Sequence, residues 1–294
     1  MAIFPHPTIL IVLRRKALEA KSRRRPVRFA KPTKPRSPKA VQMEYMRLLN
    51  GMTKTLRDLY KGYLFPELDR ILATAKSTRP DAMTVDDYST EARRAIDNLK
   101  LLFQEKYSDA EILAITQKIA AKTSAFNADE LRRSYGKVLG VEVFAGEPWL
   151  QQELNSFTRD NVLLIKKLTN TLYDETEMII KRGARAGEST KSISERLQER
   201  LDVSESRADF IARDQVAKFN GDMMQLRQTS IGIRKYQWST SHDERVRDTH
   251  AANDGKIFEW NNPPATGNPG QDFNCRCVAI PYFEEIITNA KESA

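Results

Sequence analysis

The two cysteines of this 294-residue chain stand one residue apart, Cys275 and Cys277 in the run QDFNCRCVAIP. Two of its three histidines, His242 and His250, lie within 36 residues of both. Thiolate and neutral imidazole are the preferred ligands of zinc, and small modules often depend on such a site to fold. His250, Cys275 and Cys277 are therefore three candidate ligands, with Asp272 or His242 as a fourth. The spacing is not the C-x2-C paired with H-x3–5-H of a zinc finger. A second reading has Cys275 and Cys277 alternating along a strand, both on one face, filling a core as small hydrophobes while His250 is a hydrogen-bonded structural residue. A third is hydrolytic, with Asp243, His250 and Asp254 around a metal, or Cys277 and His250 as nucleophile and base. The residues alone leave all three open. A C-x-C disulfide would close a small, strained ring, and two cysteines are too few for a disulfide-stapled secreted scaffold. Synthesis in a reducing cytoplasm is expected.

These residues need elements to position them, and the texture around them is that of a small α+β module over residues 233–294. IRKYQWST alternates and is rich in aromatic and β-branched residues, which predicts a strand. DERVRDTHAAND predicts a short helix, GKIFEW a second strand, and CRCVAIPYF a third, after the loop NNPPATGNPGQDFN. About 60 residues supply little core, so this module needs neighbouring helices or a staple.

Residues 41–232 are predicted to be helical throughout. Met46, Leu49, Met52, Leu56 and Leu59 recur at helical spacing, and Pro66 is expected to kink or break that helix. Ser108 with Glu111 three residues later is a capping-box pattern. Ile165, Leu168, Leu172 and Ile179 form the stripe of a helix ending near Gly183–Gly187. A short helix, KSISERLQERL, is expected next. Ala212, Val216, Phe219, Met223 and Leu226 then mark an amphipathic helix closed by Gly232. The expected fold class is mainly α, a long-helix body followed by the small α+β module.

Residues 1–40 carry six of the thirteen prolines and twelve Lys or Arg against one acid. That segment holds +11, which leaves residues 41–294 near neutral within a total of +9. Proline density and like charge predict an extended tail, disordered when alone. Its cations Arg14, Arg15, Lys16, Arg23, Arg24, Arg25, Arg28 and Lys31 can neutralise phosphates without reading sequence, or meet an acidic protein surface. No run of about 20 apolar residues exists to cross a membrane. No G-x4-G-K-[ST] loop is present, which excludes a P-loop packaging motor.

The stretch YQWSTSHDERVRDTHAANDGKIFEWNNPPATGNPGQDFNCRC resembles the C-terminal module of phage head morphogenesis proteins, the minor head proteins of the type found in phage Mu. Trp238, Asp243, Arg245, Arg247, His250, Gly255, Lys256, Phe258, Pro264, Asn274, Cys275, Arg276 and Cys277 match the family pattern in order, over roughly residues 207–280. The resemblance implies a non-enzymatic virion role, in the head interior near the portal vertex, after assembly in the host cytoplasm. The implied partners are a portal protein, a major capsid or scaffolding protein, and double-stranded DNA through the tail. No cofactor is required, with zinc at His250, Cys275, Cys277 and Asp272 as the one candidate. Some relatives carry C-x-x-C where this chain has Arg247 and His250, and Arg247 cannot bind a metal. An Arg247–Asp243 ion pair is the expected replacement. The alternative function is a metal-dependent nuclease or hydrolase using the C-terminal His/Cys/Asp cluster.

Overall fold

The computed structural model describes residues 31–77, 85–136, 138 and 146–283, together with residues 11–12, 14–15 and 18–19. Of the basic tail, Lys16, Arg23, Arg24, Arg25 and Arg28 lie outside the described residues. From Lys39 onward, six helices among the described residues precede the module: α1 (Lys39–Leu59), α2 (Phe65–Ser77), α3 (Val85–Lys106), α4 (Asp109–Gly136), α5 (Leu150–Arg185) and α6 (Thr190–Ser230). Then come β1 (Lys235–Ser239), α7 (Asp248–Ala251), β2 (Ile257–Glu259) and β3 (Val278–Pro281). The fold is mainly α with a small antiparallel sheet near the C-terminus, as the periodicities predict.

The chain divides into two compact units. One comprises residues 43–118 and 155–213. Its buried stripe on α1 is Tyr45, Leu49, Met52 and Leu56, continued by Tyr60, Leu64 and Leu68, while Met46 and Leu59 are only half-buried. The break expected at Pro66 is instead a π-helical turn, Tyr60–Leu64, that leads straight into α2. Proline has no N–H for an i→i−4 bond, and the wider turn accommodates this by bonding Phe65 N–H to Tyr60 O. Tyr45 Oη donates to Asn161 Oδ1 at 3.1 Å, and Tyr60 Oη bonds Thr176 Oγ1 at 2.7 Å, which ties this stripe to α5. Ile165, Leu168, Leu172 and Ile179 are buried as expected. Glu111 N–H donates to Ser108 Oγ at 3.2 Å, the predicted cap of α4. The separate short helix expected at KSISERLQERL does not exist, because α6 runs unbroken for 41 residues. Between Thr190 and Ser230 the sequence holds no proline and one glycine, so nothing stops propagation.

The other unit takes in residues 119–154 and 214–294 with the described parts of 1–42. Its sheet has the order β2-β1-β3, both pairings antiparallel, with Tyr236 opposite Phe258 on one side and Trp238 opposite Ala279 on the other. α6 ends on Gly232 at φ 85°, where Ile233 N–H reaches Gln228 O and Gly232 N–H reaches Thr229 O, a Schellman closure that only glycine adopts without strain. The core joins sheet residues Tyr236, Trp238 and Ala279 to Trp260 and Phe283, and to Leu131 and Tyr135 of α4 and Met224 of α6. The small module thus completes its core with helix residues, as its size demanded.

The tail differs from expectation in two places. Residues 11–12, 14–15 and 18–19 have helical backbone, consistent with the proline-free run between Pro7 and Pro26. Residues 31–38 are extended but held: Ser134 Oγ donates to Thr33 O at 2.7 Å, Lys34 Nζ to Thr240 O at 2.6 Å, and Arg36 bonds the buried carboxylate of Glu130. Pro35 and Pro38 are buried.

Candidate metal centre and the family motif

Trp238 is fully buried at the centre of the sheet, and its ring meets the His250 ring edge-on at 5.4 Å. His250 sits on the one-turn helix α7 and is 2% exposed. The turn that follows ends at Gly255 with φ 76°, and Gly255 N–H donates to Trp238 O, which returns the chain to the sheet edge. Cys275 and Cys277 lie in the extended run just before β3, which begins at Val278. They are therefore not on a regular strand, yet alternation still turns both side chains to one side, and both are buried in the core.

His250 Nδ1 lies 3.4 Å from Cys277 Sγ and 3.6 Å from Cys275 Sγ. The three ligand atoms are all within 4.8 Å of one another, and among the described residues this is the group of His, Cys, Asp and Glu that converges on one point. A tetrahedral zinc with ordinary Zn–S and Zn–N bonds separates a sulfur from a nitrogen by about 3.5 Å. The residues present fit that ion. They also fit a metal-free core in which one thiol donates to His250 Nδ1. Cys277, donating to Cys275, holds the Cys275 thiol below its usual range against the opposing effect of burial, and Gly270 N–H adds to this at 3.4 Å. The same bond, with burial, raises the Cys277 thiol.

Asp272 is beside His250, but on the other ring nitrogen: Oδ2 is 3.0 Å from Nε2. In the structure it orients the imidazole and does not face the sulfurs. The expected Arg247–Asp243 pair does not form. Arg247 bonds Asp272 Oδ2 at 3.0 Å and Phe273 O at 2.7 Å, while Asp243 is gripped by both Nη atoms of Arg276 at 2.7 Å. The guanidinium forks select the carboxylates their backbones bring alongside, which sequence distance does not reveal. Burial pushes Asp243 up, but Arg245 N–H and the Arg276 guanidinium outweigh it and hold the carboxyl below its ordinary value. Asp272 is held low in the same way by Phe273 N–H, His250 and Arg247, against burial.

Other sequence candidates lie elsewhere. His242, at φ 56°, is near Thr240 Oγ1 (3.2 Å) and Asp254, and is not part of the cysteine cluster. Asp254 accepts from Thr240 N–H and Oγ1, so Asp243, His250 and Asp254 do not assemble around one point. The Arg245 side chain is exposed. Phe258 is half-buried against the core. Of the described tail cations, Arg14, Arg15 and Lys31 are exposed, and Arg15 pairs with Glu19.

Two features escaped sequence reasoning. Asp214 on α6 is 2% exposed and accepts the backbone N–H of Asn274, a residue at φ 50°, which fixes the turn into the Cys-Arg-Cys run. Arg227 is 1% exposed and bonds Glu147, Ser124 and Asn127. Its signal was available: Arg227 follows the buried Met223 by four residues, whereas Leu226, assigned to the stripe, is half-buried.

Residues 174–280 match the family described as Phage Mu protein F like protein. The match begins on α5, earlier than the resemblance at residues 207–280, and covers α6 and the module to β3. The chain is also 36% identical over 197 residues to an uncharacterized protein of Haemophilus influenzae (strain ATCC 51907 / DSM 11121 / KW20 / Rd), an alignment covering 63% of this chain and 44% of that protein. The chain therefore spans less than half the length of that relative. No solved structure matches. Trp238, His250 and the Asn-Cys-Arg-Cys run all lie inside the matched segment, and the match over residues 174–280 supports the resemblance to phage head morphogenesis proteins.

Proposed function

We propose that the protein is a non-enzymatic minor head protein of a tailed phage, held inside the procapsid in association with the portal, with a basic arm that contacts packaged DNA. The observation that carries this reading is how the family-motif residues are used. Trp238 is core, Gly255 turns the chain, Asp243 and Arg276 bond each other, and Arg247 bonds the Asp272 that orients His250. The matched segment spends its distinctive side chains on holding a small fold together, which suits an assembly module. The arm is supported separately by charge: twelve cations stand in residues 1–40, and the segment is anchored on this unit through residues 33–36.

The test has two parts. Heads purified from a host carrying the complete phage should contain the chain at a few copies per particle, together with portal protein, and a chain found only outside heads overturns the head assignment. Retention of double-stranded DNA should fall steeply between low and moderate salt, by a factor on the order of 10³ or more if six or more phosphates are contacted. Deleting residues 1–30 should abolish that retention. Unchanged retention would refute the DNA role and leave an acidic surface of the portal, capsid or scaffold as the partner of the arm.

A further inference from the structure

We propose that His250 Nδ1, Cys275 Sγ and Cys277 Sγ are three ligands of one Zn²⁺ that stabilises the module, and that Asp272 and Arg247 are its positioning residues. The inference concerns the stability of the module and does not rest on the head assignment.

The two S–N separations, 3.4 and 3.6 Å, bracket the edge of about 3.5 Å that a tetrahedral zinc imposes. The tautomer is set for ligation. Asp272 Oδ2, 3.0 Å from Nε2, accepts a hydrogen bond and so keeps the proton on that nitrogen, which leaves the Nδ1 lone pair directed at the sulfurs. Arg247 fixes Asp272 in turn. The sulfurs are also supplied with donors suited to thiolates. Gly270 N–H points at Cys275 Sγ. The buried Trp238 indole N–H meets no geometrically good acceptor among the described residues, and it lies beside the Cys277 sulfur, where an anionic thiolate would satisfy it. Charge closes as well: two buried thiolates balance the dication, and the part-exposed Asp272 pairs with Arg247 at the rim. Asp272 is thereby moved from the ligand set, where sequence put it, to the second layer. Arg247, which cannot bind a metal, keeps a role through it.

The experiment uses the full chain purified after growth with added zinc. Elemental analysis should find one zinc per chain. Replacement by Co²⁺ should give the intense near-ultraviolet band of sulfur-to-cobalt charge transfer, and a chelator should lower the Tm. Cys277→Ser and His250→Ala should lose the metal. Asp272→Asn should keep the one-to-one stoichiometry but bind about 10- to 100-fold more weakly, the effect expected of a second-layer partner. If the ligand variants do not fold, the wild-type cobalt spectrum and chelator response decide alone. A zinc-free wild-type chain whose Tm is unmoved by chelator or added Zn²⁺ overturns the site. Unweakened binding by Asp272→Asn overturns the role given to Asp272.

Discussion

Replacing Arg227 by methionine tests how the unit that carries the module is held together. The guanidinium makes five hydrogen bonds: Nε and Nη2 to Glu147 at 2.6 and 2.9 Å, Nη1 to Ser124 O and Asn127 Oδ1 at 2.9 Å each, and Nη2 to Ser124 Oγ at 2.9 Å. Methionine keeps most of the volume and removes every donor. The Glu147 side chain, 14% exposed, is then a nearly buried carboxylate without its partner. Breaking a buried pair from one side costs about 3–5 kcal/mol, and the residual solvent at Glu147 places the loss near about 3. Adding Glu147→Gln removes the stranded charge and should recover about 1–2 kcal/mol. All three tryptophans, Trp149, Trp238 and Trp260, belong to this unit, so fluorescence during urea unfolding reports on it. A loss of about 3 kcal/mol moves the midpoint down by about 1–3 M. A midpoint within error of wild type would refute the reasoning. A double variant no better than Arg227→Met would show that the stranded carboxylate is not the source of the loss.

Gly221→Ala should destabilise the same unit by about 1 kcal/mol in urea, because its Cβ would stand 2.6 Å from Pro269 O and 3.2 Å from Gly270 Cα, a backbone clash that exceeds the gain in helix propensity. A raised midpoint would mean that the loop gives way freely. Against the opposing effect of burial, Asp243 is held below its ordinary value by Arg245 N–H and the Arg276 guanidinium. Its pair with Arg276 is fully present above the ordinary aspartate value of 3.8 and is lost as pH falls below it, so Arg276→Gln should lower the Tm at pH 7 and converge with wild type in acid.

Periodicity by itself determined the mainly helical body, the stripe of α5, the Ser108 cap, the Gly232 stop and the three strands, because each depends on neighbours within a few residues. The resemblance also located the motif that carries the family. What the sequence could not decide was which distant groups face each other. Arg247 and Asp243 looked like partners four residues apart, yet the short helix and the loop before β3 send Arg247 to Asp272 and Asp243 to Arg276, 25 and 33 residues away. Asp272 read as a ligand because carboxylates bind metals, and only the ring orientation of His250 shows that it meets the wrong nitrogen for that. The unbroken α6 and the π-helical turn before Pro66 show the same limit at the level of the backbone. Local propensity marks where a helix can fail, whereas packing along its whole length decides whether it does. Arg227 is buried by the same cause, since a charge in an apolar stripe is tolerable only where the fold brings Glu147 to meet it.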